Sequence, residues 1–181
     1  LPLNLELANT AEMVAFACEL KPDFACLVPE KREEVTTEGG LDVVGNQESL
    51  RQTVAKLQSL GIQVSLFIDS ERAQIQAAAD IGAEMIELHT GTFALTTGKE
   101  HESEIRRLQS GADLGSSLGL QVNAGHGIHL ENIKGLFSVK NLKEFNVGHT
   151  LISRALFVGL RSAVKEMKTA MQEYPTDRSI R

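Results

Sequence analysis

His126 stands between Gly125 and Gly127 in the stretch "LGLQVNAGHGIHLENIKG" (Leu118–Gly135), directly after a short run of strand formers. An imidazole gives or takes a proton near neutral pH. A glycine on each side lets the backbone take positive φ and lets a ligand come close. A second Gly-His pair, Gly148-His149, lies in "FNVGHTLISRALFVG" (Phe145–Gly159), where a strand passes into a helix. Free backbone N–H groups at a helix start form an anion site. Two acids complete the set: Glu6 in "LNLEL" and Glu87 in "MIELHTG", each within an otherwise aliphatic strand. Desolvation on an inner strand face raises a carboxyl's proton affinity, which suits a general base near neutrality. A strand-end glutamate paired to a lysine is the alternative for Glu6. Two such carboxylates on neighbouring inner faces divide into a base and an electrostatic stabiliser.

Metal ligation is the competing chemistry. His89, His126, His149 and Glu6 have the right donor types for zinc. The sequence has no His-x-His or His-Glu-x-x-His spacing, and glycine flanks two of the three histidines. No metal is therefore expected, and His101 and His129 read as surface residues. "PEKREEVTTEGGLDVVGN" (Pro29–Asn46) is a polar connection longer than most. Long loops in compact domains are functional lids or are disordered, and residues 30–44 read as a lid-like loop. Thr36 and Thr37 offer hydroxyls to a ligand, and Gly39-Gly40 offers hinge freedom.

The elements that must position these groups alternate strictly. Strands are expected at Leu3–Leu7, Phe24–Val28, Gln63–Ile68, Met85–Leu88, Gln121–Asn123 and Glu144–Val147. Several are continuous apolar runs, as in parallel strands buried on both faces. Helices are expected between them: one capped by Asn9, one over Glu48–Gly61, one from Ser70 to Gly82, and a last one over Thr150–Gln172. Pro175 and a polar tail (residues 174–181) follow. Repeated βα units without hairpin signals imply a parallel sheet with helices outside it. Polar residues recur near every strand end: Glu6, Glu30, Asp69, His89-Thr90, Asn123 with His126, and Asn146 with Gly148-His149. A (β/α)8 TIM barrel gathers such ends around one axis, so the expected fold is a single TIM-barrel domain with about six of its eight βα units in this chain. A full barrel takes about 250 residues. By this reading the N-terminal units lie outside the chain, and the chain expressed alone is expected to be unstable and inactive because its sheet edges are open.

Composition narrows the function classes. The chain has 181 residues, is 42% hydrophobic but only 4% aromatic, and carries a formal charge of -6. That balance disfavours a nucleic-acid surface, which needs clustered cations. Basic groups such as "EKREE" and "EIRRL" are interleaved with acids and read as solvated faces. Cys18 and Cys26 lie in apolar segments and read as reduced core residues of a cytoplasmic protein. No apolar run has the length of a membrane span.

Six motifs in order, "LNLELA", "LVPEKREEVTTEGGLDV", "GIQVSLFID", "IELHTG", "LGLQVNAGHG" and "FNVGHTLISRALFVGL", resemble the pyridoxine 5'-phosphate synthase family of vitamin B6 biosynthesis. The resemblance runs from Leu3 to about Lys168. It implies a TIM barrel that condenses 1-deoxy-D-xylulose 5-phosphate with 3-amino-2-oxopropyl phosphate to give pyridoxine 5'-phosphate, phosphate and water. It implies no cofactor and no metal, and assembly as a homo-octamer. Carried over by motif, Glu6 matches a general base, His126 a proton donor, and Glu87 the acid that stabilises the transition state. Thr36 matches a contact to the deoxyxylulose phosphate; Gly127, Gly148 and His149 match contacts to the amino-ketone phosphate. The family's Asn/Asp-His motif, second catalytic histidine and phosphate-gripping arginine have no match in this chain. Two other readings stand beside it: another phosphosugar lyase or isomerase barrel, for which no strand supplies an inward lysine, and an inactive fragment serving assembly.

Overall fold

The computed structural model describes residues 1–30 and 39–175. Six parallel strands form one sheet in chain order: β1 (Asn4–Ala8), β2 (Phe24–Val28), β3 (Gln63–Ile68), β4 (Met85–His89), β5 (Gln121–Gly125) and β6 (Leu142–Asn146). Among the described residues β1 and β6 are the two edges. The connecting helices are α1 (Ala11–Leu20), α2 (Gln47–Gln58), α3 (Arg72–Asp80), the short α4 (Gly91–Leu95) and the long α5 (Gly98–Ser117). A 3-10 turn (Ile133–Ser138) precedes β6, and α6 (His149–Val158) and α7 (Leu160–Met171) close the chain.

The period of two along each strand sorts side chains into two environments. Leu7, Leu27, Leu66, Ile68, Ile86, Leu88, Val122 and Ala124 point to the helix side and join one aliphatic core with residues such as Leu50, Leu57, Ile75 and Leu108. The opposite face holds Glu6, Cys26, Phe67, Glu87 and Asn123, in register across the sheet as Glu6↔Cys26, Phe67↔Glu87 and Glu87↔Asn123. Cys26, Val28 and Phe67 form a small separate apolar cluster on that face. Helices packed against only one face of a parallel sheet are what a barrel wall requires.

Local structure departs from expectation at five places. Thr10, not Asn9, caps α1, its side chain accepting from the Met13 N–H at 3.3 Å. Asn9 instead binds across to α2, donating to Ser49 and accepting from Thr53 at 2.6 Å. The expected single C-terminal helix is two, because Gly159 takes φ +81 and ψ 149, outside helical space. Ser70 does not cap α3, which starts at Arg72; the Ser70 hydroxyl donates to the Arg107 carbonyl at 2.9 Å. The stretch "EIRRL" is not a solvated face: Glu104 is buried, and Arg107 grips it with two bonds of 2.8 and 2.6 Å. A buried carboxylate needs such a partner, and α5 supplies it where it packs beside α3. His101 is also not a plain surface residue, since its ring lies 4.7 Å from that of Phe93. Tyr174 is half-buried, its hydroxyl accepting from the Leu142 N–H and donating to the Val139 carbonyl.

Candidate active site

The sheet's polar face ends in a cavity of about 610 Å³ lined by Asn4, Glu6, Glu87, His126, Gly148 and His149, with Phe67 among its apolar walls. Gly127, Ile128, Asn146 and Thr150 also border it. A volume of this size suits a small ligand. Of the seven residues expected at the site, six come together here. Thr36, with residues 31–38 of the lid-like loop, lies outside the described residues, as does the tail from residue 176.

Glu87 sits mid-strand on β4 and is only 4% exposed. Burial raises its carboxyl to about 7, helped by the nearby Glu6 and Glu144 carboxylates. The Asn146 amide opposes this by donating to Oε2 at 2.6 Å, and the Cys26 thiol makes a long contact to the same oxygen at 3.8 Å. Cys26 is a core residue as expected, but it faces the cavity layer, and burial beside Glu87 pushes its thiol well up. A Cβ on Gly125 would lie 1.9 Å from Glu87 Oε1. Only glycine at that position leaves room for the carboxylate. Glu6 is exposed on β1, which is an edge of the sheet among the described residues. The argument from desolvation holds for Glu87.

His126 has φ +78, an uncommon conformation for a side-chain-bearing residue. Thr90, fully buried, holds it there. Its hydroxyl contacts the carbonyls of Gly125 and His126 at 2.7 and 2.6 Å, and its N–H donates to Gly125 at 2.9 Å. Gly127, also at positive φ, follows at once. The second Gly-His pair is brought alongside by the Thr150 hydroxyl, which donates to the Ile128 carbonyl. Gly148 is the N-cap of α6, so the open N-terminal turn of that helix faces the cavity beside His126.

Sequence reasoning noted Asp69, Thr90 and Asn146 only as strand-end polar residues and weighed His89 only as a zinc ligand. Asp69 Oδ1 meets His89 Nδ1 at 3.1 Å, and the Gly40 N–H donates to Oδ2 at 3.0 Å. Both contacts, the histidine first, hold the Asp69 carboxyl below its usual range. Among the described residues no group of three or more His, Cys, Asp and Glu side chains is arranged to hold a metal ion.

Sequential parallel strands, helices on one face, and an acid–base cavity at the strand ends define a TIM-barrel protein with a site of the barrel-enzyme type. Solved structures agree on the fold. A xylose isomerase domain protein from Planctomyces limnophilus superposes with a TM-score of 0.58 at 16% identity, covering 93% of this chain and 71% of that one. An HpcH/HpaI aldolase/citrate lyase family protein from Burkholderia cenocepacia gives 0.58 at 10% identity, covering 96% and 77%. The chain belongs to the pyridoxal phosphate biosynthesis protein PdxJ family, whose sequence model matches residues 1–173. Similar curated proteins are named pyridoxine 5'-phosphate synthase. The one from Akkermansia muciniphila is 58% identical over 172 residues, 94% of this chain and 70% of the relative. That from Legionella pneumophila (strain Corby) is 51% identical over 94% of this chain and 69% of its own length.

Proposed function

We propose that the protein is a pyridoxine 5'-phosphate synthase, joining 1-deoxy-D-xylulose 5-phosphate to 3-amino-2-oxopropyl phosphate with release of phosphate and water. Its relatives' shared name supports the reaction. The observation that carries it at the residue level is a single cavity holding Glu6, Glu87 and His126, with Glu87 poised at about 7. Joining an amine to a ketone takes a proton off nitrogen and puts one on the departing hydroxyl, so a base and an acid must share one site. Glu6 serves as the base and His126 as the proton donor. Glu87 stabilises the charge that develops between them. Gly127, Gly148 and His149 receive the amino-ketone phosphate, where the N-terminus of α6 favours an anion. Thr36 contacts the deoxyxylulose phosphate. Among the described residues no lysine borders the cavity.

The reading extends to assembly. α6 buries none of its residues, and Ile152, Leu156, Phe157 and Leu160 stand exposed on α6 and at the start of α7. An apolar surface of this kind supports an oligomer, here the homo-octamer. The deciding experiment is turnover by the intact protein with both substrates, following pyridoxine 5'-phosphate and phosphate together. Glu6→Gln and His126→Asn are each expected to lower kcat by about 10²–10⁴-fold. Folded wild-type protein that forms neither product would overturn the proposal.

A further inference from the structure

His89 does not border the cavity, yet it is buried directly behind it and packed against two residues that do. Its ring lies 5.1 Å from that of His126 and 5.1 Å from that of Phe67, edge-on to each, and the third pair closes the trio at 6.4 Å. Asp69, fixed on its other oxygen by the Gly40 N–H, is an ionised acceptor, so the Nδ1 atom of His89 carries the proton. The His89 Nε2 atom is buried and has no hydrogen-bond partner among the described residues. A Cβ built on Gly91 would lie 2.5 Å from this atom and 3.3 Å from His126 Cδ2, so the two rings share the space above one glycine. A carboxylate, an imidazole held by it and a second imidazole beside it form a chain in which the first member orients the next.

We infer that Asp69 and His89 are positioning residues for His126: Asp69 fixes the His89 ring, and the ring sets where the His126 imidazole stands in the cavity. The inference rests on the synthase reading, in which His126 delivers the proton. Thr90 holds the His126 backbone from the same strand end, so the His89-Thr90-Gly91 segment fixes main chain, ring and clearance together.

The test uses the intact protein with both substrates and the variants His89→Gln and Asp69→Asn. Each is expected to lower kcat about 10- to 100-fold, the usual cost of removing a supporting partner, with KM for both substrates changed less than about twofold. Placed on His126→Asn, His89→Gln is expected to cause less than about a twofold further loss, because residues acting through one another are not additive. ¹⁵N NMR is expected to show His89 protonated at Nδ1 in the wild type and a changed tautomer in Asp69→Asn. Unchanged kcat in both variants, or losses that add fully to that of His126→Asn, would overturn the inference. If His89→Gln does not melt cooperatively, Asp69→Asn, at a half-exposed position, decides alone. A wild type without turnover would refute the synthase reading, while the His89 tautomer and the His126 ring shifts would still report on the positioning.

Discussion

Burial of Glu87 has a thermodynamic signature that needs no substrate. Its carboxyl rises from 4.5 to about 7 in the folded protein, chiefly through desolvation. A carboxyl with a raised folded-state pKa favours folding while it is protonated. That stabilisation is complete below about 4.5 and is lost as pH climbs through 7, where the buried group must ionise. At about 1.36 kcal/mol per unit, a rise of roughly 2.5 units amounts to about 3 kcal/mol in all, and most of it falls between pH 5 and 9. Glu87→Gln keeps the shape and an oxygen for Asn146 but cannot ionise. The stability of this variant relative to wild type is therefore expected to improve by about 2–3 kcal/mol from pH 5 to pH 9, read from urea unfolding of the intact protein at several pH values. The lowered Asp69 carboxyl contributes to both proteins and cancels in the difference. Two stability curves that stay parallel across that window would refute the reasoning.

Asn146→Ala removes the hydrogen bond that holds Glu87 down. The Glu87 midpoint is expected to climb a further unit or two, since a bond to a charged group is worth about 1.5–3 kcal/mol; a carboxyl-carbon NMR titration reads it, and an unmoved midpoint contradicts the assignment. Gly125→Ala places a methyl on the Glu87 carboxylate. The displaced acid is expected to cost about 10²-fold in kcat, and steady-state kinetics within twofold of wild type would show that the clearance does not matter.

How much of this was legible in the sequence differs by level. The strand runs at Phe24–Val28 and Gln63–Ile68 coincide with β2 and β3, because continuous Val, Leu, Ile and Phe between turn residues leaves little choice of period. Helix ends were less legible. Asn9 and Thr10 are both competent caps, and which one acts was decided by the tertiary bonds that draw Asn9 to α2. Gly159 was visible, but nothing local says whether a glycine interrupts a helix or rides within it. At the site, residue type identified the acids and the Gly-His pairs. It did not reveal how fully Glu87 is desolvated, since that depends on β4 being flanked by strands on both sides. The Asp69–His89 contact joins residues on neighbouring strands, a pairing set by sheet register rather than by spacing in the chain.

Strand order that equals chain order has a consequence for how the molecule is made. Each of the strands β2 to β6 pairs with the one completed just before it, so each finds its template already in place as it leaves the ribosome. The cavity has no such schedule. Glu6 is delivered with β1, Glu87 with β4, and Asn146 and His149 only with β6 and α6. A nascent chain halted after β5 would carry a paired sheet in which Glu87 still lacks the Asn146 amide and no N-terminal turn of α6 is present to receive an anion. Structure accumulates steadily along the chain, whereas chemical competence arrives late and all at once.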